Sequence, residues 1–236
     1  MLVNILFYVP LWHITNRVIF NGLYYFCESL FAYEDAQIER ISSRIVSSYH
    51  GISTLGMMVN AVYANVHIFS VYDPQLFTAT YDTIIPYSVA YFVYDLLNDM
   101  GLGILTYSFL IHHCVAIFSG IYLYHINLSQ LYVLSLFVEL SSINLNIKDI
   151  MDTLDKKDNC VYLVNGSIFS VLFFISRILY APVCIRSVYT LTLQRSEVFK
   201  ETYNYAPIIL VGMFTALNFF WFNQIIRIVI YKYKQL

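Results

Sequence analysis

Apolar residues run along this chain in seven long stretches, separated by short polar connections. Each stretch approaches the roughly 20 residues that an α-helix needs to cross the hydrocarbon core of a bilayer. The apolar runs are continuous rather than alternating with polar residues, which favours helices over half-buried strands. The pattern therefore predicts an all-α membrane protein. The seven predicted transmembrane helices cover residues 2–26, 43–67, 82–100, 104–126, 129–148, 160–187 and 204–231.

The composition agrees with a chain that spans a membrane. Of the 236 residues, 59% are hydrophobic and only 12% are charged, whereas a soluble protein usually has about 25% charged residues. The net charge is −2 and no basic run is present, so nucleic acid is not an expected partner. The four cysteines form no CxxC pattern, and we expect buried free thiols rather than a disulfide framework.

Two places in the pattern are irregular. The first stretch contains several polar residues, and we expect it either to pack against the other helices or to lie at the membrane interface. Those residues are His13, Asn16, Arg17 and Asn21. Between the third and fourth stretches, Gly101 and Gly103 predict a tight turn, because glycine marks breaks in helical patterns. The third and fourth helices should therefore form an antiparallel hairpin.

Basic residues in the connections predict the orientation of the chain, because cytosolic loops carry an excess of lysine and arginine. One side has Arg40, Arg44, Lys148, Lys156, Lys157, Lys232 and Lys234. The other has Arg186, Arg195 and Lys200. This predicts a cytosolic carboxyl terminus and, with seven spans, a lumenal amino terminus. The amino terminus lacks the pattern of a cleavable signal peptide, so a retained first span and residence in the endoplasmic reticulum are expected.

Ionisable side chains inside the apolar stretches are the candidates for function. Such groups usually face a protein interior or a watery cavity and mark a functional site. His112 and His113 lie near the middle of the fourth stretch, and adjacent residues of an α-helix point about 100° apart. A divided arrangement is therefore expected, in which one imidazole faces a cavity and the other bonds a neighbouring helix. The alternative is that both rings only join helices.

The fifth stretch carries a polar face. Glu139, Ser142, Asn146 and Asp149 follow helical spacing, and burying a carboxylate in lipid is costly unless it is paired or neutralised. This face should therefore point inward. Glu139 is a candidate partner that orients a histidine and stabilises its imidazolium form, or else a protonated acid that only holds helices together.

Four further residues extend this set. Asp95 is a candidate carboxylate partner for a histidine, whereas Asp99 is expected to lie at a solvated helix end. Arg177 lies inside the sixth stretch and needs a carboxylate, for which Glu139 is a candidate, or the head group or phosphate of a bound substrate. His50 is a further inward-facing candidate in the second stretch.

These residues resemble the conserved pattern of the TLC-domain family. The similar elements are Asp95, His112-His113, the segment from Glu139 to Lys148, Arg177 with Pro182, and Ser43-Arg44 with Ser48-Tyr-His50. The resemblance covers residues 39–232 and is strongest to the smaller TLC-domain-containing proteins. It implies an N-terminal transmembrane helix and loop in residues 1–38 and a TLC domain in residues 39–236, with six helices forming a barrel around a tunnel for a lipid or acyl chain.

The best-known enzymes of this family are ceramide synthases, which transfer an acyl group from acyl-CoA to a sphingoid amine. The resemblance places His112 and His113 at the chemistry, and we expect Glu139 and Asp95 to be further catalytic residues that tune the basicity of the imidazole towards neutral pH. Substrate binding is expected of His50, Asn146, Arg177, Ser142 and Lys148. In ceramide synthases two aspartates stand in the motif that follows the histidines, whereas here Glu139-Leu-Ser141 occupies that place.

Two functions follow from this pattern. The first is histidine-dependent acyl transfer or hydrolysis, with fatty acyl-CoA as co-substrate and no other cofactor or metal. The second is a non-catalytic protein that binds, senses or transports a lipid and thereby regulates membrane lipid composition. The expected partners are a membrane lipid or fatty acyl-CoA and the bilayer, with a homodimer as one alternative for the assembly. Haem ligation by His50 and one histidine of the pair is a third alternative.

Overall fold

Every regular element in the described part of the chain is helical. The computed structural model describes residues 1–30, 34–64, 78–194 and 205–233. The elements are α1 (Leu2–Leu30), α2 (Asp35–Ala64), α3 (Thr78–Gly101), α4 (Tyr107–His125), α5 (Ser129–Ser135), a 3-10 segment (Leu136–Ser141), α6 (Ser142–Thr153), α7 (Cys160–Phe173), a π-helical segment (Phe174–Leu179), α8 (Ala181–Gln194) and α9 (Ala206–Tyr233). The predicted all-α class is confirmed.

Some of these elements follow one another without a break. α5, the 3-10 segment and α6 form one continuous helical stretch. α7 and the π-helical segment form another, which a bend at Tyr180 separates from α8. Within the described residues, three stretches are long and apolar enough to cross a membrane, namely Tyr107–His125, Cys160–Leu191 and Ala206–Tyr231. The protein is therefore an integral membrane protein. The crossing of the bilayer by the other helices and the closure of six helices into a barrel stay predictions.

The turn between α3 and α4 is formed as expected. α3 ends at Gly101 and α4 begins at Tyr107. Gly103 has a φ of 67°, a left-handed conformation that glycine adopts without a steric penalty. The side chain of Thr106 caps α4 by accepting a hydrogen bond from the Phe109 N–H at 3.4 Å. α3 and α4 also pack against each other, which confirms the predicted hairpin.

Helix α1 packs against α2 and α3. Trp12 is buried and donates a hydrogen bond from Nε1 to the Tyr87 carbonyl oxygen at 3.3 Å. Asn16 is also buried and accepts a hydrogen bond from the Ser42 hydroxyl. Of the polar residues that made the first stretch ambiguous in the sequence, Asn16 thus bonds to α2 and Arg17 pairs with Glu39, which is also on α2. Of the two alternatives for this stretch, the structure shows packing against the other helices.

A network of ion pairs joins α2, α3 and α6. Arg44 donates to Asp149 at 2.6 Å and to Asp99 at 3.4 Å, and Arg40 pairs with Asp149 as well. Asp99 is only 3% exposed, so the expectation that it lies at a solvated helix end is wrong. Burial disfavours the charge of Asp149, but the hydrogen bond from Arg40 and the charge of Arg44 hold the pKa of its carboxyl below the usual value.

The described cysteines are free, as the sequence predicts, but their burial differs from the expectation. Cys114 and Cys160 are exposed on the outer faces of their helices, and Cys184 is partly buried. A membrane protein can place apolar side chains on its outer face, because lipid tails rather than water surround that face. Burial inside the protein therefore cannot be inferred from apolar character alone. The remaining cysteine, Cys27, has a side chain outside the described residues.

We expect Gly120→Ala to destabilise the protein by about 1–3 kcal/mol, the usual range for overpacking a core. A Cβ atom at Gly120 would lie 2.3 Å from Cγ2 of Val89 and 3.0 Å from the Tyr132 ring. The branched Val89 side chain has few alternative rotamers, so α3 and α4 must separate. Thermal unfolding in detergent measures the loss. Gly56→Ala is the control, since nothing lies within 4 Å of a Cβ at that position; equal stability of the two variants would contradict the prediction.

Candidate active site

A cavity of about 90 Å³ lies between α4, α5, the 3-10 and π-helical segments, α8 and α9. Much of its wall is apolar, formed by side chains that include Leu123, Leu131, Leu134, Val188, Leu210 and Val211. Four polar residues of the wall are His112, Glu139, Arg177 and Asn218. Their positions along antiparallel helices place these four towards one end of the cavity, away from the connection between α4 and α5. The cavity thus combines a polar end with a long apolar wall.

His112 is the histidine that lines this cavity. Its ring packs between aromatic side chains, with ring centroids 5.4 Å from Trp221, 5.7 Å from Phe92 and 6.0 Å from Phe214. Within the described residues, its buried Nδ1 has no hydrogen-bond partner. His112 is therefore held in place by aromatic packing, and its Nδ1 is not occupied by a structural bond to another helix.

His113 points away from the cavity and joins α4 to α3. Its Nδ1–H donates to the Phe109 carbonyl oxygen at 2.8 Å, and its Nε2 lies 2.9 Å from Oδ2 of Asp95. Both ring nitrogens of His113 face oxygen atoms, so the imidazole and the Asp95 carboxyl share the proton between Nε2 and Oδ2. The divided arrangement expected for the two histidines is therefore present in the structure, and Asp95 is the carboxylate partner of His113.

Arg177 reaches the cavity from the π-helical segment. The Tyr180 N–H donates to the Ile175 carbonyl oxygen at 3.1 Å, which is the i to i−5 spacing of a π-turn, and Pro182 has no N–H with which to continue the α-helical pattern. Single π-turns inside α-helices are frequent at functional sites. The 3-10 segment that carries Glu139 packs against this π-helical segment, so two local irregularities meet at the polar end of the cavity.

The guanidinium of Arg177 bonds to neutral groups. Nε donates to the Ser141 hydroxyl at 3.0 Å, Nη1 to Oδ1 of Asn218 at 3.2 Å and Nη2 to the Ser142 hydroxyl at 3.2 Å. It also lies over the Phe173 ring, 5.0 Å from its centroid. Arg177 is only 6% exposed, so it is a buried cation with an ordered set of polar contacts.

Glu139 forms neither of the two contacts for which it was a candidate, one with a histidine and one with Arg177. The carboxylate bonded to a histidine is Asp95 rather than Glu139. Among the ion pairs of the described residues, none joins Glu139 to Arg177. The Ser142 hydroxyl lies between the two groups and interacts with both. Glu139 is nevertheless 5% exposed and lines the cavity, so it remains available to a ligand.

His50 does not line the cavity. It is fully buried and stacks on the Tyr91 ring with a centroid separation of 3.8 Å. Its Nε2 lies 3.2 Å from the Ser88 hydroxyl, which also accepts a hydrogen bond from Tyr132 at 3.3 Å. Since Tyr132 is a cavity residue, His50 is connected to the cavity through two hydroxyl groups rather than by direct contact.

Asn146 and Lys148 also lie outside the cavity wall. Asn146 is buried, and its Nδ2 has no partner in the described part of the chain. Lys148 pairs with Asp152 at 2.6 Å, one helical turn away, and lies over the Tyr162 ring. The substrate contacts expected of these two residues therefore stay predictions without support from the cavity geometry.

Helix α9 contributes residues that the sequence interpretation missed. Phe214, Asn218 and Trp221 are spaced four and three residues apart and so share one helical face. Trp221 contacts His112 and lies 5.8 Å from the Arg177 guanidinium. A signal was present in the sequence, because Asn218 is a polar residue inside an apolar span, and such residues usually face the interior of a helix bundle.

Comparison with known proteins places the chain in a family. No curated protein and no solved structure matches it. The sequence model of one family, described as the TLC domain, matches residues 40–227. This range leaves α1 outside and contains every residue that lines the cavity. Because the match covers well over half of the chain, the protein belongs to the TLC-domain family.

Proposed function

We propose that the protein is a membrane enzyme that transfers a fatty acyl group from acyl-CoA to an amine or to water, with His112 as the reacting group. Membership of the TLC-domain family supports a role connected with membrane lipids. The observation that carries the proposal is the position of His112, an imidazole without a structural hydrogen bond at Nδ1 in the wall of an apolar cavity. Such a cavity suits the hydrocarbon chain of the acyl group.

The proposed reaction has two steps. An imidazole nitrogen of His112 attacks the thioester carbonyl carbon, a C–N bond forms, the C–S bond breaks, and the imidazole N–H proton balances the departing CoA thiolate. An amine or water then attacks the same carbonyl carbon, which releases an amide or a fatty acid and restores the imidazole. Histidine acts as a covalent nucleophile in other enzymes. Glu139 lines the same cavity and would accept the proton from the incoming amine or water.

The proposal assigns the remaining residues to supporting roles. The bond between His113 and Asp95 holds α4 against α3 and so fixes the position of the adjacent His112. Lys148 would contact the CoA phosphates at the predicted cytosolic side, where it would exchange its present partner Asp152 for a phosphate. The endoplasmic reticulum, the cytosolic carboxyl terminus and a homodimer remain part of this proposal.

The second candidate is a lipid-binding, lipid-sensing or lipid-transporting protein without turnover. One observation favours it. The polar end of the cavity holds a buried cation, Arg177, whose hydrogen bonds go to neutral groups, and this arrangement suits a lipid head group without requiring a nucleophile. In this alternative the cavity encloses a lipid, and the polar end binds its head group.

Mass spectrometry of the purified protein separates the two functions. The protein in nanodiscs is incubated with a C16 acyl-CoA, and free CoA and the peptides of α4 are then measured. The enzyme predicts release of CoA and an acyl adduct on the His112 peptide after acid quenching. An intact lipid that co-purifies with the protein, with no release of CoA above the buffer rate, would support binding alone and contradict the enzyme.

A further inference from the structure

We infer that Arg177 forms a binding site for the carboxylate of a single-chain fatty acid, with the chain lying in the apolar part of the cavity. This deepens the proposed function, because a fatty acid is the product of acyl transfer to water. It does not depend on turnover, since a carboxylate that binds reversibly needs no reaction. The inference rests on the contacts of Arg177 and on the residues that line the cavity.

The first argument is the incomplete bonding of the guanidinium. Arginine has five N–H donors, and three hydrogen bonds to Ser141, Ser142 and Asn218 account for three of them. Two N–H groups thus have no partner within the described residues, on a side chain that lines the cavity. A buried charge is costly unless it is paired and hydrogen-bonded, so an anion in the cavity would complete the site.

The second argument is the geometry of a guanidinium. Its planar fork matches a carboxylate, and charge-assisted hydrogen bonds of this kind are roughly twice as strong as neutral ones. The neighbouring contacts with the rings of Phe173 and Trp221 restrict the plane of the Arg177 guanidinium and so limit the direction in which its N–H groups can donate. The three neutral acceptors hold the guanidinium without cancelling its charge.

The third argument is the rest of the cavity wall. Away from Arg177 it is lined by Leu123, Leu131, Val188 and Leu210, among others. A cation at one end and aliphatic side chains along the remainder suit a ligand that has an anionic head and one hydrocarbon chain. A neutral lipid would fill the apolar part but leave the guanidinium without its anion.

Glu139 lines the same cavity as Arg177, so substitutions of these two residues should change the affinity for a carboxylate in opposite directions. Its carboxylate interacts electrostatically with Arg177 across Ser142. A bound carboxylate would compete with Glu139 for this cation and would be repelled by its charge. Glu139→Gln should therefore tighten the binding of a fatty carboxylate, whereas Arg177→Gln should weaken it. A neutral ligand would not respond to the two substitutions in opposite directions.

Equilibrium binding to the full chain in nanodiscs tests the inference with palmitate, hexadecanol and hexadecyl phosphate. We expect the wild type to bind palmitate at least about tenfold more tightly than hexadecanol, since a hydrogen-bonded charge contributes about the 1.4 kcal/mol that corresponds to tenfold. Arg177→Gln should remove this preference, Arg177→Lys should keep part of it, and Glu139→Gln should raise palmitate affinity several-fold. Arg186→Gln, a substitution of an exposed arginine on α8, should leave the palmitate affinity unchanged.

Two outcomes would overturn the inference. One is equal affinity of the wild type for palmitate and hexadecanol, and the other is tighter binding of hexadecyl phosphate than of palmitate. Both comparisons use the wild type, so they decide the question even if Arg177→Gln does not fold. A clear preference for palmitate without any release of CoA from acyl-CoA would contradict the proposed enzyme but leave the carboxylate site intact.

Discussion

Replacing His112 with alanine is expected to lower the rate of CoA release from a fatty acyl-CoA by at least about a thousandfold, because the proposed reaction forms its acyl intermediate on this imidazole and removing a covalent nucleophile costs several orders of magnitude in rate. The imidazole of His112 is in the wall of the cavity, and its Nδ1 takes no part in a hydrogen bond that holds the described fold together. Its loss removes no such hydrogen bond, but it takes a buried ring from between Phe92, Phe214 and Trp221 and should also lower the unfolding temperature. CoA release and thermal unfolding, measured on the same nanodisc preparation, separate the two effects.

His125→Ala is the matched control for this prediction. His125 lies at the far end of the same helix and is exposed, so the same substitution there should change neither the rate nor the unfolding temperature. If His112→Ala keeps the wild-type rate of CoA release while it remains folded, the role of this imidazole in acyl transfer is wrong. His113→Ala is a less direct comparison, since that residue also joins two helices.

Much of the helical pattern was predictable from hydropathy, because lipid exposure requires long apolar helices with internally satisfied backbones. The ends of helices were less predictable. α2 begins at Asp35 rather than near residue 43, since its first turns are polar and are held by pairs such as Arg40 with Asp149. Such pairs join residues that are far apart in the sequence, and local hydropathy carries no information about them.

The candidate site was partly predictable for a related reason. Histidines 112 and 113 stood out as ionisable residues in an apolar span, and helical geometry was sufficient to predict that they diverge. The partner of His113 could not be chosen from the sequence, because Asp95 and Glu139 were both inward-facing acids. The choice depends on how α3 and the 3-10 segment approach α4, which is a matter of tertiary packing. The π-turn that presents Arg177 was likewise not evident from local residue spacing.

The second large expected effect comes from breaking the contact between Asp95 and His113, and it is on the free energy of unfolding rather than on turnover. Asp95→Ala should destabilise the protein by about 3–5 kcal/mol, the usual result of removing one partner from a buried charged pair. The reason is that His113 would then keep its position between α3 and α4, at 2% exposure, with no carboxyl at its Nε2. A change in the unfolding free energy in detergent measures this effect.

A double-mutant cycle shows whether the loss comes from the pair itself. We expect Asp95→Ala combined with His113→Ala to cost less than the sum of the single substitutions by about 0.5–3 kcal/mol, because residues in contact are not additive. Asp82→Ala is the control on the same helix: it removes an exposed hydrogen bond from Tyr124 and should change stability by less than about 0.5 kcal/mol. Strict additivity of Asp95→Ala and His113→Ala would mean that the two groups stabilise the helix pair independently, and the positioning of His112 through this contact would lose its physical basis.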